Sequence, residues 1–253
     1  MRIEPISAAS LPKPGGLLSK MKMTNCRELF AEFPVDMIAA RDAVPNSYDV
    51  RVYPNGMALL LLMVQECQSC TLDQLLVIRP MRMAHFWIEL VGPEEVGPAV
   101  PGSIASLPTS YYYAMPHQLE NPLGAFIFRM VGIDIQHVAQ ITIGGDPGKN
   151  RRGNILESQS SGCRCSIEDC THIWESPQVL TGRRWFFREY GGLIKRRSVG
   201  RVVCRSSFLG EGEVTLKATE DSIVAQLGLG RTLHGVSKAV EMSCEANIWV
   251  KPL

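Results

Sequence analysis

The sequence has almost no net charge and lacks any apolar run long enough to cross a bilayer. Lys and Arg total 26 against 25 Asp and Glu, a formal net charge of +1. This balance provides no overall attraction to nucleic acid or anionic membranes. The longest apolar run, residues 57–64, is far shorter than the ~20 residues of a spanning helix. The first residues carry no apolar stretch typical of a signal peptide. These absences predict a cytoplasmic protein that binds neither nucleic acid nor a membrane.

The sequence also lacks the spacings of common metal and phosphate sites. No histidine pair with a carboxylate stands at metal-ligand spacing, and the glycine-rich run at 144–149 lacks the Gly-Lys-Ser/Thr ending of a phosphate loop. We therefore expect no catalytic metal and no cofactor.

Eight cysteines are present, and in a cytoplasmic protein we expect thiols or metal ligands rather than disulfides. Four soft ligands fall within ten residues: Cys163, Cys165, Cys170 and His172. Cys67 and Cys70 form one further pair with a two-residue gap. Free thiols are the favoured interpretation, and a structural zinc ion bound by the four-residue group is left open.

Strand-like segments dominate the chain. Apolar residues make up 45% and charged residues 20%, which is enough to bury a core. Asn55–Gly56 predicts a hairpin turn before an apolar strand, and Asp36 predicts the start of a short helix. Many strands with few helices favour a barrel or curved sheet. We predict a mainly β protein with an N-terminal arm at 1–25 and one β-barrel domain at 26–253.

One predicted strand, residues 81–91, carries a chemically mixed face. Alternation places Met83, His85, Trp87 and Glu89 on the same side. These four residues are predicted to line a substrate pocket, with His85 or Glu89 available for acid–base work. Strand geometry separates the Cα atoms of His85 and Glu89 by about 13 Å. The two side chains would therefore act on different substrate atoms.

Two stretches of the chain resemble the acetoacetate decarboxylases. The first is Cys26-Arg27-Glu28-Leu29-Phe30, followed by Phe-Pro-Val-Asp at 33–36 and a helix that ends in Val-Pro at 44–45. The second runs from Gly-Glu-Val-Thr-Leu at 212–216 to Ala-Asn-Ile-Trp-Val at 246–250. The resemblance covers about two-fifths of the chain. It implies a single-domain, cone- or lipocalin-like antiparallel β-barrel, with Arg27 as the pocket arginine and Asp73 near the position of the catalytic acid.

The family's lysine pair would fall near Tyr112 and Tyr113, within the stretch 107–117 that contains no lysine. A primary amine forms imines with carbonyl substrates, whereas a phenol does not. Lys195 is the nearest substitute, but it belongs to a basic run at 183–205. Alternation predicts that this run forms the solvent-facing side of a hairpin whose aromatic residues pack inward. Binding of an anionic ligand, such as a carboxylate or a coenzyme A thioester, by this basic run is left open.

These observations predict an enzyme that acts by proton transfer on a small, mostly apolar carbonyl compound, without a Schiff base. Asp73 or His117 would remove a proton, Tyr111 or Tyr113 would stabilise an oxyanion, and Arg27 would hold a carbonyl or carboxylate. Isomerisation, cyclisation and dehydration fit this scheme. Two alternatives stay open: decarboxylation without an imine, and a non-catalytic protein that binds an apolar ligand. A homo-oligomer is also left open.

Overall fold

The computed structural model describes residues 17–74, 76–91, 109–130, 132–138, 140–144, 152–156, 162–191, 196–220 and 222–252. Within these ranges, strands follow one another with few helices. The strands are β1 (Leu17–Asp36), β2 (Met57–Leu72), β3 (Leu76–Ile78), β4 (Met81–Glu89), β5 (Thr109–Ala114), β6 (His117–Leu119), β7 (Ile135–His137), β8 (Gln140–Gly144), β9 (Arg152–Leu156), β10 (Gly162–Tyr190), β11 (Arg196–Ala218) and β12 (Thr232–Pro252). The helices are α1 (Met37–Asp42), α2 (Pro122–Met130) and α3 (Ile223–Gln226). No helix in this described part is long and apolar enough to cross a membrane.

Seven of these strands close into a barrel. The order is β2-β1-β12-β11-β10-β5-β4, and β4 pairs back with β2. All neighbours in the ring are antiparallel except β5 and β10, which run parallel. Closure leaves no free edge in this ring. The predicted mainly β barrel is confirmed.

Apolar residues on both faces of the barrel strands create two separate apolar regions. Residues 57–64 of β2 are buried on both sides apart from two half-buried positions. One side of β1, β2 and β4 packs in the larger cluster, which includes Leu29, Leu60 and Phe86. The opposite side of the same strands carries Phe30, Met63 and Trp87. The second side faces the inside of the barrel.

Short helices and extra strands cover the barrel surface and one end. Asp36 caps α1, because its carboxylate accepts hydrogen bonds from the Ile38 and Ala39 amides at 2.9 and 3.0 Å, as the sequence predicts. Gly56 has a positive φ of 77°, which suits the predicted hairpin turn before β2. α2 buries Phe128 at the end of the barrel closed by β6 and β7.

Several boundaries differ from the predicted ones. β1 starts at Leu17, so residues 17–25 of the predicted arm form the first part of this strand, and residues 1–16 lie outside the described chain. The separate strand-like runs at 171–174 and 183–190 are joined in the single long strand β10. Long strands form here because each one pairs along much of its length with a neighbour.

The prediction that the cysteines form no disulfide is wrong for one pair. Cys26 and Cys67 lie directly opposite one another on β1 and β2, and their sulfur atoms are bonded at 2.11 Å. Cys70, Cys204 and Cys244 are buried free thiols. The pairing depends on the β1–β2 register, which the cysteine spacing does not reveal.

Candidate active site

The inside of the barrel contains a cavity of about 70 Å³. Every one of the seven barrel strands contributes side chains to its wall, and β6, α2 and β7 close one end. Most of the wall is apolar or aromatic. The polar side chains that line it are His85, His117, Arg184, Arg188 and Ser198. A small apolar cavity with a few converging polar groups is typical of a small-molecule site.

His85 and His117 form a hydrogen-bonded pair in this wall. β4 and β6 run antiparallel with Met83 opposite Leu119 and Ala84 opposite Gln118. The next positions along both strands bring the two histidines together, and their Nδ1 atoms lie 2.6 Å apart. His85 also stacks on Trp87, with ring centroids 5.5 Å apart.

Burial keeps this histidine pair uncharged at neutral pH. It lowers the pKa of His85 well below its usual value, and the neighbouring His117 lowers it further. Burial also lowers the pKa of His117, to about 4, with opposing contributions from Asp134, which raises it, and Arg188, which lowers it. Both imidazoles are therefore in the form that accepts protons.

The two arginines of the wall have different surroundings. Arg188 donates from Nε to Asp134 at 2.8 Å, and its Nη1 lies 3.5 Å from the carbonyl oxygen of Ala114. Arg184 lies over the ring of Phe30, with 5.4 Å from its Cζ atom to the ring centroid. Both arginines are on the inner face of β10, with Phe186 between them.

Four of the predicted site residues line the cavity: Met83, His85, Trp87 and His117. The predicted face of β4 is therefore the inner face as far as Trp87. Glu89, the last residue of β4, does not line the cavity and instead accepts a hydrogen bond from the Tyr53 hydroxyl at 2.6 Å. It also pairs with Arg51 at 3.3 Å.

The structure does not bring Arg27 or Asp73 to the cavity. Arg27 extends toward solvent and forms an ion pair with Glu66 at 2.8 Å. Asp73 lies in the turn after β2, where its carboxylate accepts a hydrogen bond from the Lys20 amide at 2.6 Å. Strand alternation explains the position of Arg27, because its neighbours Cys26 and Glu28 occupy the opposite, buried side.

Tyr111 and Tyr113 also point away from the cavity. Both belong to the larger apolar cluster outside the ring, and the Tyr113 hydroxyl donates to the backbone oxygen of Glu189 at 3.5 Å. Tyr112 and Ala114 occupy the inner side of β5. The sequence shows that Tyr111 and Tyr113 share a face, but alternation alone does not identify the inner one.

The candidate zinc ligands and the candidate lysine of the sequence analysis fall outside the described side chains. Lys195 lies outside the described residues, and so do the side chains of Cys163, Cys165, Cys170 and His172. Within the described part, no group of three or more His, Cys, Asp or Glu side chains is arranged to hold a metal ion. None of the described residues that line the cavity is a lysine.

Arg184 and Arg188 belong to the basic run at 183–205, and the sequence pattern did not assign them to the pocket. The predicted solvent-facing side of the basic run is wrong for both, because they share the inner face with Phe186. The available signal was the alternation Arg-x-Phe-x-Arg at 184–188, which places two cations and an aromatic ring on one side of a strand.

Comparisons with known proteins give matches in structure alone. No family model matches the sequence, and no curated protein matches it. An acetoacetate decarboxylase from Legionella pneumophila is similar over 99% of this chain and 96% of its own, with a TM-score of 0.62 and 6% identity.

Two further solved structures have the same architecture. An acetoacetate decarboxylase-like enzyme from Sphingomonas wittichii RW1 has a TM-score of 0.58 and 11% identity, and covers 100% of this chain and 99% of its own. The enduracididine biosynthesis enzyme MppR, solved in complex with pyruvate, has a TM-score of 0.57 and 12% identity, with coverages of 96% and 92%.

Proposed function

We propose that this chain, which has the acetoacetate decarboxylase-like fold, is an enzyme that moves protons on a small carbonyl compound without forming an imine. Proton transfer at the carbon beside a carbonyl group underlies isomerisation, cyclisation and dehydration. The observation that carries the proposal is the 2.6 Å hydrogen bond between His85 and His117 in an apolar cavity wall.

The geometry of the histidine pair supports a role in proton relay. An Nδ1–Nδ1 hydrogen bond between neutral imidazoles requires one Nδ1 to carry the hydrogen and the other to accept it. The donor ring then has a bare Nε2, which is a base, and the acceptor ring carries its hydrogen on Nε2. When the bare Nε2 takes a proton, the shared hydrogen crosses to the other ring, whose Nε2 releases its own. The pair thus accepts a proton at one atom and delivers one at another.

Arg188 replaces the tyrosines as the proposed oxyanion stabiliser. Removal of a proton beside a carbonyl places negative charge on the carbonyl oxygen, and a guanidinium in a cavity of low polarity stabilises that charge. Asp134 fixes Arg188 by a 2.8 Å ion pair. The backbone amide of His117 donates to the carbonyl oxygen of the same Asp134 at 3.1 Å. Asp134 therefore holds both groups: its carbonyl oxygen binds the backbone of the base, His117, and its carboxylate binds the cation, Arg188.

Two further observations support a carbonyl substrate and chemistry without an imine. MppR, which shares the fold, was solved with pyruvate, a small carbonyl compound. Among the described residues that line the cavity of this chain there is no amine side chain to form a Schiff base.

Solvent-deuterium exchange reports proton transfer whatever the final product is. Purified protein is mixed with 2-oxobutanoate, 3-oxobutanoate or 2-butanone in deuterium oxide, and loss of the hydrogens beside the carbonyl is followed by proton NMR. We expect the protein to accelerate exchange of at least one compound above its protein-free rate, and His117→Gln should lower this protein-dependent rate about 100-fold or more. His234→Gln is the matched control, because His234 is exposed and bonds to Thr215.

The outcomes separate an enzyme from a binding protein. Exchange by wild type and the His234→Gln control, with loss in His117→Gln, supports the proposed function. Binding of these compounds without exchange by wild type refutes it and favours the non-catalytic alternative. Release of carbon dioxide from 3-oxobutanoate faster than in the absence of protein, at a rate that His117→Gln leaves unchanged, refutes it in favour of decarboxylation.

A further inference from the structure

Gln65 is a buried amide on the inner side of β2 that the proposed proton transfer does not use. Its side chain is fully buried, and it shares a strand face with Met63, which lines the cavity. On the neighbouring strand β4 it lies directly opposite Met83. Met83 and the adjacent Met23 line the cavity as well. Gln65 therefore lies one layer of side chains behind the cavity wall.

The hydrogen bonding of this amide is poor. Among the described residues, its Nε2 atom contacts only sulfur atoms, those of Met23 at 3.2 Å, Cys67 at 3.5 Å and Met83 at 3.8 Å. Its Oε1 atom has no hydrogen-bond partner in the same part of the chain. Glu28 stands opposite Gln65 on β1 but shares no hydrogen bond with it. Sulfur is a weak acceptor, so burial of the amide has a cost that its contacts do not offset.

The neighbouring methionines connect Gln65 to the cavity. A methionine side chain is unbranched and rotates about three bonds, so its thioether adapts to a guest at low cost. The thioethers of Met23 and Met83 lie against the amide and also line the cavity. Their rotation would bring the Gln65 amide to the edge of the cavity. A buried polar group of this kind becomes fully hydrogen-bonded when a guest supplies the complementary atoms.

We infer that Gln65 forms a hydroxyl-binding subsite at this end of the cavity, and that the substrate is a hydroxy ketone or hydroxy aldehyde. The statement about the substrate rests on the proposed function, whereas the subsite does not. One hydroxyl group donates its hydrogen to Oε1 and accepts one from Nε2, so it satisfies both ends of the amide. A carboxylate only accepts hydrogen bonds, and it would leave Oε1 without a donor opposite the Glu28 carboxyl group.

The strand spacing places this hydroxyl relative to the histidine pair. Gln65 is level with Met83, and His85 is two residues further along β4, which is about 7 Å. Hydrogen bonds of about 3 Å at each end leave room for a short carbon chain between the two polar groups. 4-Hydroxy-2-butanone carries a hydroxyl and a carbonyl group at this kind of spacing. 2-Pentanone has the same shape, with a methyl group in place of the hydroxyl.

Binding of these two ketones tests the subsite independently of catalysis. Each ketone is titrated by calorimetry into the full-length wild type, Gln65→Met and Gln118→Met proteins. We expect wild type to bind 4-hydroxy-2-butanone at least about tenfold more tightly than 2-pentanone, because 2-pentanone leaves the amide unpaired. Gln65→Met should abolish this preference. Gln118→Met should keep it, since Gln118 is an equally buried amide that alternation places on the opposite face of β6 from His117.

Urea denaturation of the same variants distinguishes a binding role of Gln65 from a structural one. Gln65→Met removes a poorly bonded amide and places a flexible apolar side chain among methionines, so the urea midpoint should equal that of wild type or rise. A lowered midpoint would show that the amide holds the fold together and would overturn the inference. Equal or undetectable binding of the two ketones by wild type also overturns it, as does a hydroxyl preference that persists in Gln65→Met.

The results also separate this subsite from the proposed function. Selective binding of 4-hydroxy-2-butanone without any protein-dependent deuterium exchange supports the subsite and refutes the proposed function. Protein-dependent exchange of both ketones, with equal affinities, refutes the subsite while it supports proton transfer.

Discussion

The uncharged histidine pair makes a quantitative prediction about stability at acid pH. In the unfolded chain His117 has a pKa of about 6.5, whereas burial lowers its pKa in the folded chain to about 4. Between these two values the unfolded chain binds a proton that the folded chain does not bind. The contribution of His117 is therefore constant above about pH 6.5, falls as the pH decreases toward 4, and becomes constant again below that value.

The size of this effect follows from the two pKa values. A folded-state pKa of about 4 against an unfolded one of about 6.5 corresponds to a loss of about 3 kcal/mol of unfolding free energy when His117 is fully titrated. Most of this loss, about 2.5 kcal/mol, should occur by about pH 4.5. His117→Gln removes the titrating group, and an amide can still hydrogen-bond His85.

Urea denaturation of wild type and His117→Gln at about pH 7 and about pH 4.5 measures the difference directly. The wild-type free energy of unfolding should fall by about 2 to 3 kcal/mol more than that of the variant, since titration of the carboxylates is common to both proteins. His234→Gln should follow wild type. An equal fall in wild type and His117→Gln would show that His117 titrates normally in the folded protein, and the reasoning about burial would be refuted.

Three further predictions concern residues outside the cavity. Tyr113→Phe should change deuterium exchange less than tenfold, because its hydroxyl donates to a backbone oxygen outside the cavity and the Phe ring keeps the contact with the Arg188 guanidinium, which lies 5.8 Å from the ring centroid; an exchange rate lowered tenfold or more would restore its predicted catalytic role. Asp73→Ala should cost about 0.5 to 1.5 kcal/mol in urea denaturation, through the lost, exposed hydrogen bond to Lys20, without slowing exchange. Reduction of Cys26–Cys67, which are 41 residues apart, should lower the unfolding free energy by about 2 to 4 kcal/mol, and an unchanged urea midpoint would contradict the disulfide.

The barrel was predictable from the sequence because its signals are local. The apolar run of β2 and the Asn55–Gly56 turn appear within a few residues, and Asp36 precedes its helix directly. Alternation also places Met83, His85 and Trp87 on one face, and this face does line the cavity. Local hydrogen bonding and strand periodicity determine features of this kind.

Which side chains meet in the site depends on the pairing of strands distant in sequence, and no local sequence pattern shows that pairing. His85 and His117 were both candidates, but their contact follows from the β4–β6 register. The same limit applies to Cys26 and Cys67, which meet through the β1–β2 register.

Period-two alternation identifies which residues share a face but does not determine whether that face points inward. Two predictions were reversed for this reason. On β5 the inner positions are Tyr112 and Ala114 rather than Tyr111 and Tyr113. On β10 the cations Arg184 and Arg188 lie inside the barrel, where a charged run is not expected from its composition.

The most direct test of the central claim is deuterium exchange of 2-oxobutanoate in the presence of cyanoborohydride, followed by intact-protein mass spectrometry. Cyanoborohydride reduces an imine to a stable amine and thereby links the substrate to any lysine that forms a Schiff base. If the histidine pair transfers the proton, exchange continues at its original rate and the protein mass does not change. A mass increase of one reduced substrate, together with loss of exchange, would contradict the account.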